Sequence, residues 1–99
     1  MSELTFPHPG EILRSEFLEE MNLSQYKLAM DIGIPHSRVT AIIKGRRAVT
    51  PDTALRLSRY FGTSAEFWLG LQTEFDLRKA REEVGATIDK EVVPLSPAS

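Results

Sequence analysis

Cysteine is absent from the chain, which removes disulfides and thiolate metal sites from consideration. Histidine occurs only at His8 and His36, and no H-x-x-x-H or similar ligand spacing is present, so neither a metal nor a cofactor is expected. No apolar run approaches the roughly 18 residues needed to cross a bilayer. The opening Met1-Ser2-Glu3-Leu4-Thr5 lacks the basic segment and apolar stretch of a secretory signal, so the expectation is a cytoplasmic protein without membrane association. Ser37 and Thr40 have no nearby base with an orienting acid, and no phosphate-cradling loop occurs, so no catalytic residue is expected and an enzyme is disfavoured.

What remains is one small domain. A chain of 99 residues has apolar material for a single core. Its formal net charge of −2 argues against a generic polyanion binder, so any nucleic-acid contact has to come from a local patch. One such patch stands out: from Ile32 to Pro51 there is no acidic residue, while Arg38, Lys44, Arg46 and Arg47 all fall inside. Acidic residues gather elsewhere, notably Glu16, Glu19 and Glu20.

The remaining signals are helical. Phe6-Pro7-His8-Pro9-Gly10 reads as a proline-stiffened, extended lead-in. From Glu11 to Met21, Leu13, Phe17 and Met21 recur every four residues opposite an acidic side, an amphipathic pattern. Ser24 is a good N-cap for a short second helix that turns Leu28, Ala29 and Ile32 inward and ends at Gly33. A third helix, His36 to Lys44, is closed by Gly45. Thr50-Pro51 opens a fourth that ends at Gly62. Thr63-Ser64-Ala65-Glu66 has capping-box spacing and starts a fifth helix, to about Glu83, with Phe67, Trp68, Leu71 and Phe75 on one side and Gly85 as its stop. The expected organisation is an extended segment over 1–10, an all-α five-helix domain over 11–84, and an extended or disordered tail over 85–99.

At about 100° per residue, the third helix puts Val39, Ile42 and Ile43 on one side and His36, Ser37, Thr40 and Lys44 on the other, with Arg38 at the margin. Short polar side chains ending in a cation suit base edges in a major groove roughly 12 Å wide. A short helix, a glycine turn and a half-polar helix make a helix-turn-helix, in which the first helix braces and the second reads. His36, Ser37, Thr40 and Lys44 are therefore expected at base edges. Gln25, Arg38, Arg46 and Arg47 are expected at phosphates or in mixed contacts, Gln25 helped by the dipole of the helix it opens.

Ser24-Gln25-Tyr26-Lys27-Leu28-Ala29, Gly33-Ile34-Pro35, Val39, Ile42 and Gly45-Arg46-Arg47 closely resemble the Xre-type helix-turn-helix of phage-repressor-like proteins. Pro7-His8-Pro9-Gly10-Glu11, Tyr60-Phe61-Gly62-Thr63-Ser64 and Phe67-Trp68-Leu69 are more specific, and with the flanking sequence they are similar to the HigA-type antitoxins, or addiction-module antidotes. The resemblance covers about four fifths of the chain and leaves the last fourteen or so residues aside. It implies a homodimer that represses its own operon by binding double-stranded operator DNA and neutralises an mRNA-cleaving toxin of the HigB type. The alternative is a stand-alone Xre-type repressor with no toxin partner.

Two surfaces outside the DNA-facing set complete the reading. Leu69 and Leu77 fall roughly 100° or more from the aromatic stripe of the fifth helix and are expected as an exposed apolar pair at a dimer interface. Glu16, Glu19 and Glu20 are expected on the first helix's outer face, where opposite charge would speed association with a basic toxin.

Overall fold

The computed structural model describes residues 6–96. Met1 to Thr5, part of the expected extended lead-in, and the last three residues of the expected tail lie outside them. Among the described residues there are only helices: α1 (Pro9–Ile12), which runs directly into a π-helical segment (Leu13–Leu18), then α2 (Gln25–Ile32), α3 (His36–Ile43), α4 (Pro51–Phe61) and α5 (Ala65–Glu91). Counting α1 and its π-helical continuation as one helix gives the five expected from the sequence.

The side-chain caps explain where these helices start. His8 Nδ1 accepts from the Gly10 N–H, Ser24 from Lys27, Thr50 from Thr53 and Ser64 from Phe67, each satisfying an N–H that has no partner within its helix. The cap of α5 is thus Ser64 rather than Thr63. Thr63 instead accepts from the indole N–H of Trp68 at 2.8 Å, giving the fully buried ring its polar partner.

The first helix departs from its expected four-residue period. Its backbone bonds widen to i→i+5, with Glu19 N–H donating to the Arg14 carbonyl at 2.9 Å, so residues five apart share a face. Leu13 and Leu18 are buried in consequence, whereas Met21 is exposed. Phe17 is half-buried and packs between Phe61 and Trp68, with ring centroids 4.8 and 5.0 Å apart.

One core results, built from Leu13, Leu18, Leu28, Ile32, Val39, Ile42, Val49, Leu57 and Trp68 with smaller neighbours. Helix α2 packs on α3 and α4, α1 packs on α3 and α5, and α4 packs on α5. The contact between α1 and α3 is so close that a Cβ at Gly10 would collide with the Ile42 carbonyl.

The largest difference from expectation is the length of α5. Gly85 does not stop it; the helix continues to Glu91, and the extended part begins at Val92. Glycine in a helix interior costs only about 1 kcal/mol relative to alanine, a cost set against the good helix formers Arg81, Glu82, Glu83 and Ala86 around it. Twenty-seven residues make a rod of about 40 Å. The radius of gyration is accordingly 17.0 Å, against about 13 Å for a compact chain of this length. No helix is long and apolar enough to cross a membrane among the described residues.

Candidate nucleic-acid interface

Helix α2, the turn and α3 form the expected helix-turn-helix. The turn needs Gly33: its φ of 77° lies in the left-handed region that a side chain disfavours. It is also held from outside. Arg56 on α4 donates from Nη1 to the Ile32 carbonyl at 2.8 Å, and its Nε pairs with Asp52 at 2.7 Å. Nearby, Tyr60 donates to Asp31, which also pairs with Lys27 at 3.0 Å. These two bonds hold the Asp31 carboxyl below its ordinary range, the tyrosine bond being the larger cause.

On α3, Val39 and Ile42 are buried, so the opposite side is presented outward. His36, Ser37 and Lys44 are exposed and Thr40 is half-buried. His36 lies edge-on against Tyr26 of α2, ring centroids 5.9 Å apart, an aromatic neighbour that the wheel for α3 could not supply. Thr40 Oγ1 donates to Gln25 Oε1 at 2.9 Å, so the first residue of α2 and the middle of α3 are joined directly. Arg38 is half-buried, and its Nε is buried with no hydrogen-bond partner.

Beyond α3 the chain folds back on the helix end. The Gly45 N–H donates to Ile42, and those of Arg46 and Arg47 both reach the Ala41 carbonyl, at 2.8 and 3.2 Å. Gly45 takes a φ of 75°, the glycine stop that satisfies terminal carbonyls. Both arginine side chains remain exposed. The far end of this loop is pinned by Gln72 of α5, whose Oε1 accepts from the buried Val49 N–H at 2.8 Å while its Nε2 donates to Asp76 at 3.0 Å. His36, Ser37, Arg38, Thr40, Lys44, Arg46 and Arg47 are thus carried by one bonded segment, and Gln25 joins it through Thr40.

His8 lies under the same loop. It is 6% exposed, its ring meets Phe75 edge-on at 4.9 Å, and a Cβ on Gly45 would sit 3.8 Å from it. Burial pushes its pKa below the ordinary value, against the opposing pull of Asp76 and Glu11. Gln72 and Arg56 carry no signal in the sequence pattern, and His8 enters it only as part of the Pro7-His8-Pro9-Gly10-Glu11 motif, with no role attached. Their partners are up to 67 residues away, in the case of His8 and Phe75, so no local pattern marks them.

The other expected sites are less uniform. Leu69 is half-buried and packs against the core, so it is not the exposed apolar residue expected. Leu77 is 44% exposed and continues along α5 into Val84 at 43% and Ile88 at 48%. Glu16, Glu19 and Glu20 are all exposed, but Glu19 is paired with Arg14 at 2.6 Å. No group of three or more His, Cys, Asp or Glu suited to a metal occurs among the described residues.

A helix-turn-helix family profile matches residues 15–68. A HigA-family addiction-module antidote from Coxiella burnetii superposes with a TM-score of 0.85 at 48% identity, over 91% of this chain and 98% of that one. This chain belongs to the HigA-type antitoxins, within the Xre-type helix-turn-helix family. The Pseudomonas aeruginosa antitoxin HigA, solved with the higBA promoter, superposes on this HigA-family chain with a TM-score of 0.88 at 43% identity, over 92% and 99% of the two chains. Virulence-associated protein I of Dichelobacter nodosus is 46% identical over 82 residues, 83% of this chain and 76% of that protein.

Proposed function

We propose that this DNA-binding HigA-type protein is the cytoplasmic antitoxin of a toxin–antitoxin pair, neutralising an mRNA-cleaving toxin of the HigB type and repressing its own operon as a homodimer. The observation that carries the DNA half is the outward side of α3, with Arg46 and Arg47 bonded back onto its last turn. The promoter-bound Pseudomonas relative supports it.

In this reading α3 lies in the major groove. His36, Ser37, Thr40 and Lys44 face base edges, while Arg38, Arg46, Arg47 and the Gln25 amide face the backbone. Two copies joined along the outer half of α5, through Leu77 and the residues that continue its stripe, would place two such helices on half-sites about 34 Å apart. Glu16 and Glu20, exposed and outside the Arg14 pair, would offer a basic ribonuclease an opposite charge.

The DNA assignment is tested by titrating a promoter fragment against salt. Arg46→Ala or Arg47→Ala should weaken specific and scrambled DNA alike and make the salt slope shallower by about 0.9 for each phosphate the variant no longer neutralises. An unchanged slope takes these arginines off the backbone. For the toxin half, the chain is expressed from its native locus and whatever co-purifies is weighed by intact mass spectrometry. A stoichiometric small protein that arrests growth when expressed alone supports the antitoxin reading; a bare homodimer with no toxic neighbour product reduces the protein to a stand-alone repressor.

A further inference from the structure

The hydrogen bond between Thr40 and Gln25 fixes more than geometry. A threonine hydroxyl has one proton and two acceptor lone pairs. In α3 that proton goes across to Gln25 Oε1 at 2.9 Å, and the outward side of Thr40 is left with lone pairs only. Gln25, with its oxygen engaged, keeps both amide protons free on Nε2 at the first turn of α2. An anion at that helix start favours the same arrangement, because a phosphate can only accept: it takes an Nε2 proton and so prevents the amide from flipping.

We infer that the Gln25–Thr40 pair makes Thr40 an obligate acceptor in the groove, so that this position of the operator is read through an exocyclic amine, adenine N6 or cytosine N4. Guanine O6 and N7 and thymine O4 are themselves acceptors, and each would meet a lone pair of Thr40 with no proton between them. The backbone contact and the base contact become one device: the phosphate sets the amide, the amide sets the hydroxyl, and the hydroxyl sorts the bases. The inference rests on α3 being the DNA-reading helix, as proposed above.

The test is an analogue scan of the promoter fragment by fluorescence anisotropy, run once specific binding over scrambled DNA has been measured. At each pair within a half-site the exocyclic amine is deleted, using purine for adenine and 2-pyrimidinone for cytosine. The carbonyl-deleted counterparts of guanine and thymine form a second series. One amine deletion should weaken the wild-type protein about 3- to 10-fold per half-site, the span of a single hydrogen bond, and cost Thr40→Val nothing. Thr40→Ser should restore the penalty.

Gln25→Glu, which can only accept from Thr40, should keep that penalty while binding all DNA more weakly. Gln25→Leu, which frees the hydroxyl to donate as well as accept, should keep the amine penalty but bind a promoter with guanine or thymine at that position within about 2-fold of the natural site, where the wild-type protein loses the span of a hydrogen bond. Helical circular dichroism of each variant confirms that it is folded. A carbonyl deletion that couples to Thr40 in the wild-type protein overturns the inference, and so does undiminished rejection of guanine and thymine at that position by Gln25→Leu. Absence of any deletion coupled to Thr40 overturns it as well. Failure of the wild-type protein to prefer promoter over scrambled DNA would instead remove the DNA-reading assignment beneath it.

Discussion

Over Ala65 to Asp76 the last helix is built into the molecule: Trp68 is fully buried, Gln72 is 6% exposed and Phe75 meets the His8 ring edge-on. Over Leu77 to Glu91 the same continuous helix has every residue exposed except the half-buried Gly85. Tertiary packing holds the first half. The second half is held by its covalent continuity with a helix already nucleated and by exposed i,i+4 pairs such as Lys79–Glu83 at 3.1 Å, each worth about 0.3–0.5 kcal/mol. Yet the outer half carries Leu77, Val84 and Ile88 along one line, beside a groove of about 270 Å³. The contrast separates two tasks within one helix: the inner half anchors the loop that carries Arg46 and Arg47, and the outer half keeps an apolar stripe available.

The inner task is broken at Gln72. Gln72→Leu keeps the bulk and removes the acceptor for the buried Val49 N–H, which should cost about 1–3 kcal/mol of stability. The loop carrying Arg46 and Arg47 then loses its far anchor, so promoter affinity should fall as well. Urea unfolding and promoter titration measure the two effects. Loss of stability with unchanged affinity would show that the short bonds to Ala41 hold the arginines without help from α5.

A smaller effect on the same side comes from pH. His8 is neutral and buried, and its folded pKa lies below the ordinary 6.5, so the unfolded chain takes up a proton first. Its contribution is complete above about pH 6.5 and is lost as pH falls through that value toward the folded pKa, with a slope of at most about 1.4 kcal/mol per pH unit. Protonation also removes the Nδ1 lone pair that caps α1. Asp76 and Glu11, the carboxylates acting on the ring, reduce the slope. The melting temperature should therefore drop between pH 7 and pH 5.5, and His8→Asn, which can still cap without titrating, should flatten that part of the profile. An equal drop in both proteins would assign the pH dependence to other groups.

The same contrast explains what could be read from the sequence. Helix starts at Ser24 and Thr50, the turn at Gly33 and the polar side of α3 are local patterns, each decided within about four residues, and the helix-turn-helix follows from them. The π-helical segment was not legible, because Phe17 in its middle packs against Phe61 and Trp68, 44 and 51 residues on. Gly85 misled because a glycine reads as a stop only when its neighbours do not outvote it. Leu69 misled because a helical wheel gives direction but not which neighbour waits there, and for Leu69 the neighbour is the core. Gln72, Arg56 and His8 act through partners distant in sequence, and the Thr40–Gln25 bond joins two residues that the sequence had assigned separately to base and phosphate.

The outer half of α5 sharpens the comparison with the smallest expected change in the fold itself. Leu77→Glu combined with Ile88→Glu alters two side chains that touch no part of the buried core, so the isolated chain should keep its stability within about 0.5 kcal/mol. If the stripe joins two copies, the wild-type protein should melt at a temperature that rises with protein concentration, since association stabilises the folded state by mass action. The double variant should sediment as a monomer and lose that dependence. Its promoter affinity should fall although every residue proposed to contact DNA is intact, because one copy of α3 then binds without its partner. A double variant that stays dimeric would move the interface off this stripe and leave the exposure of Leu77, Val84 and Ile88 to be explained by a different protein.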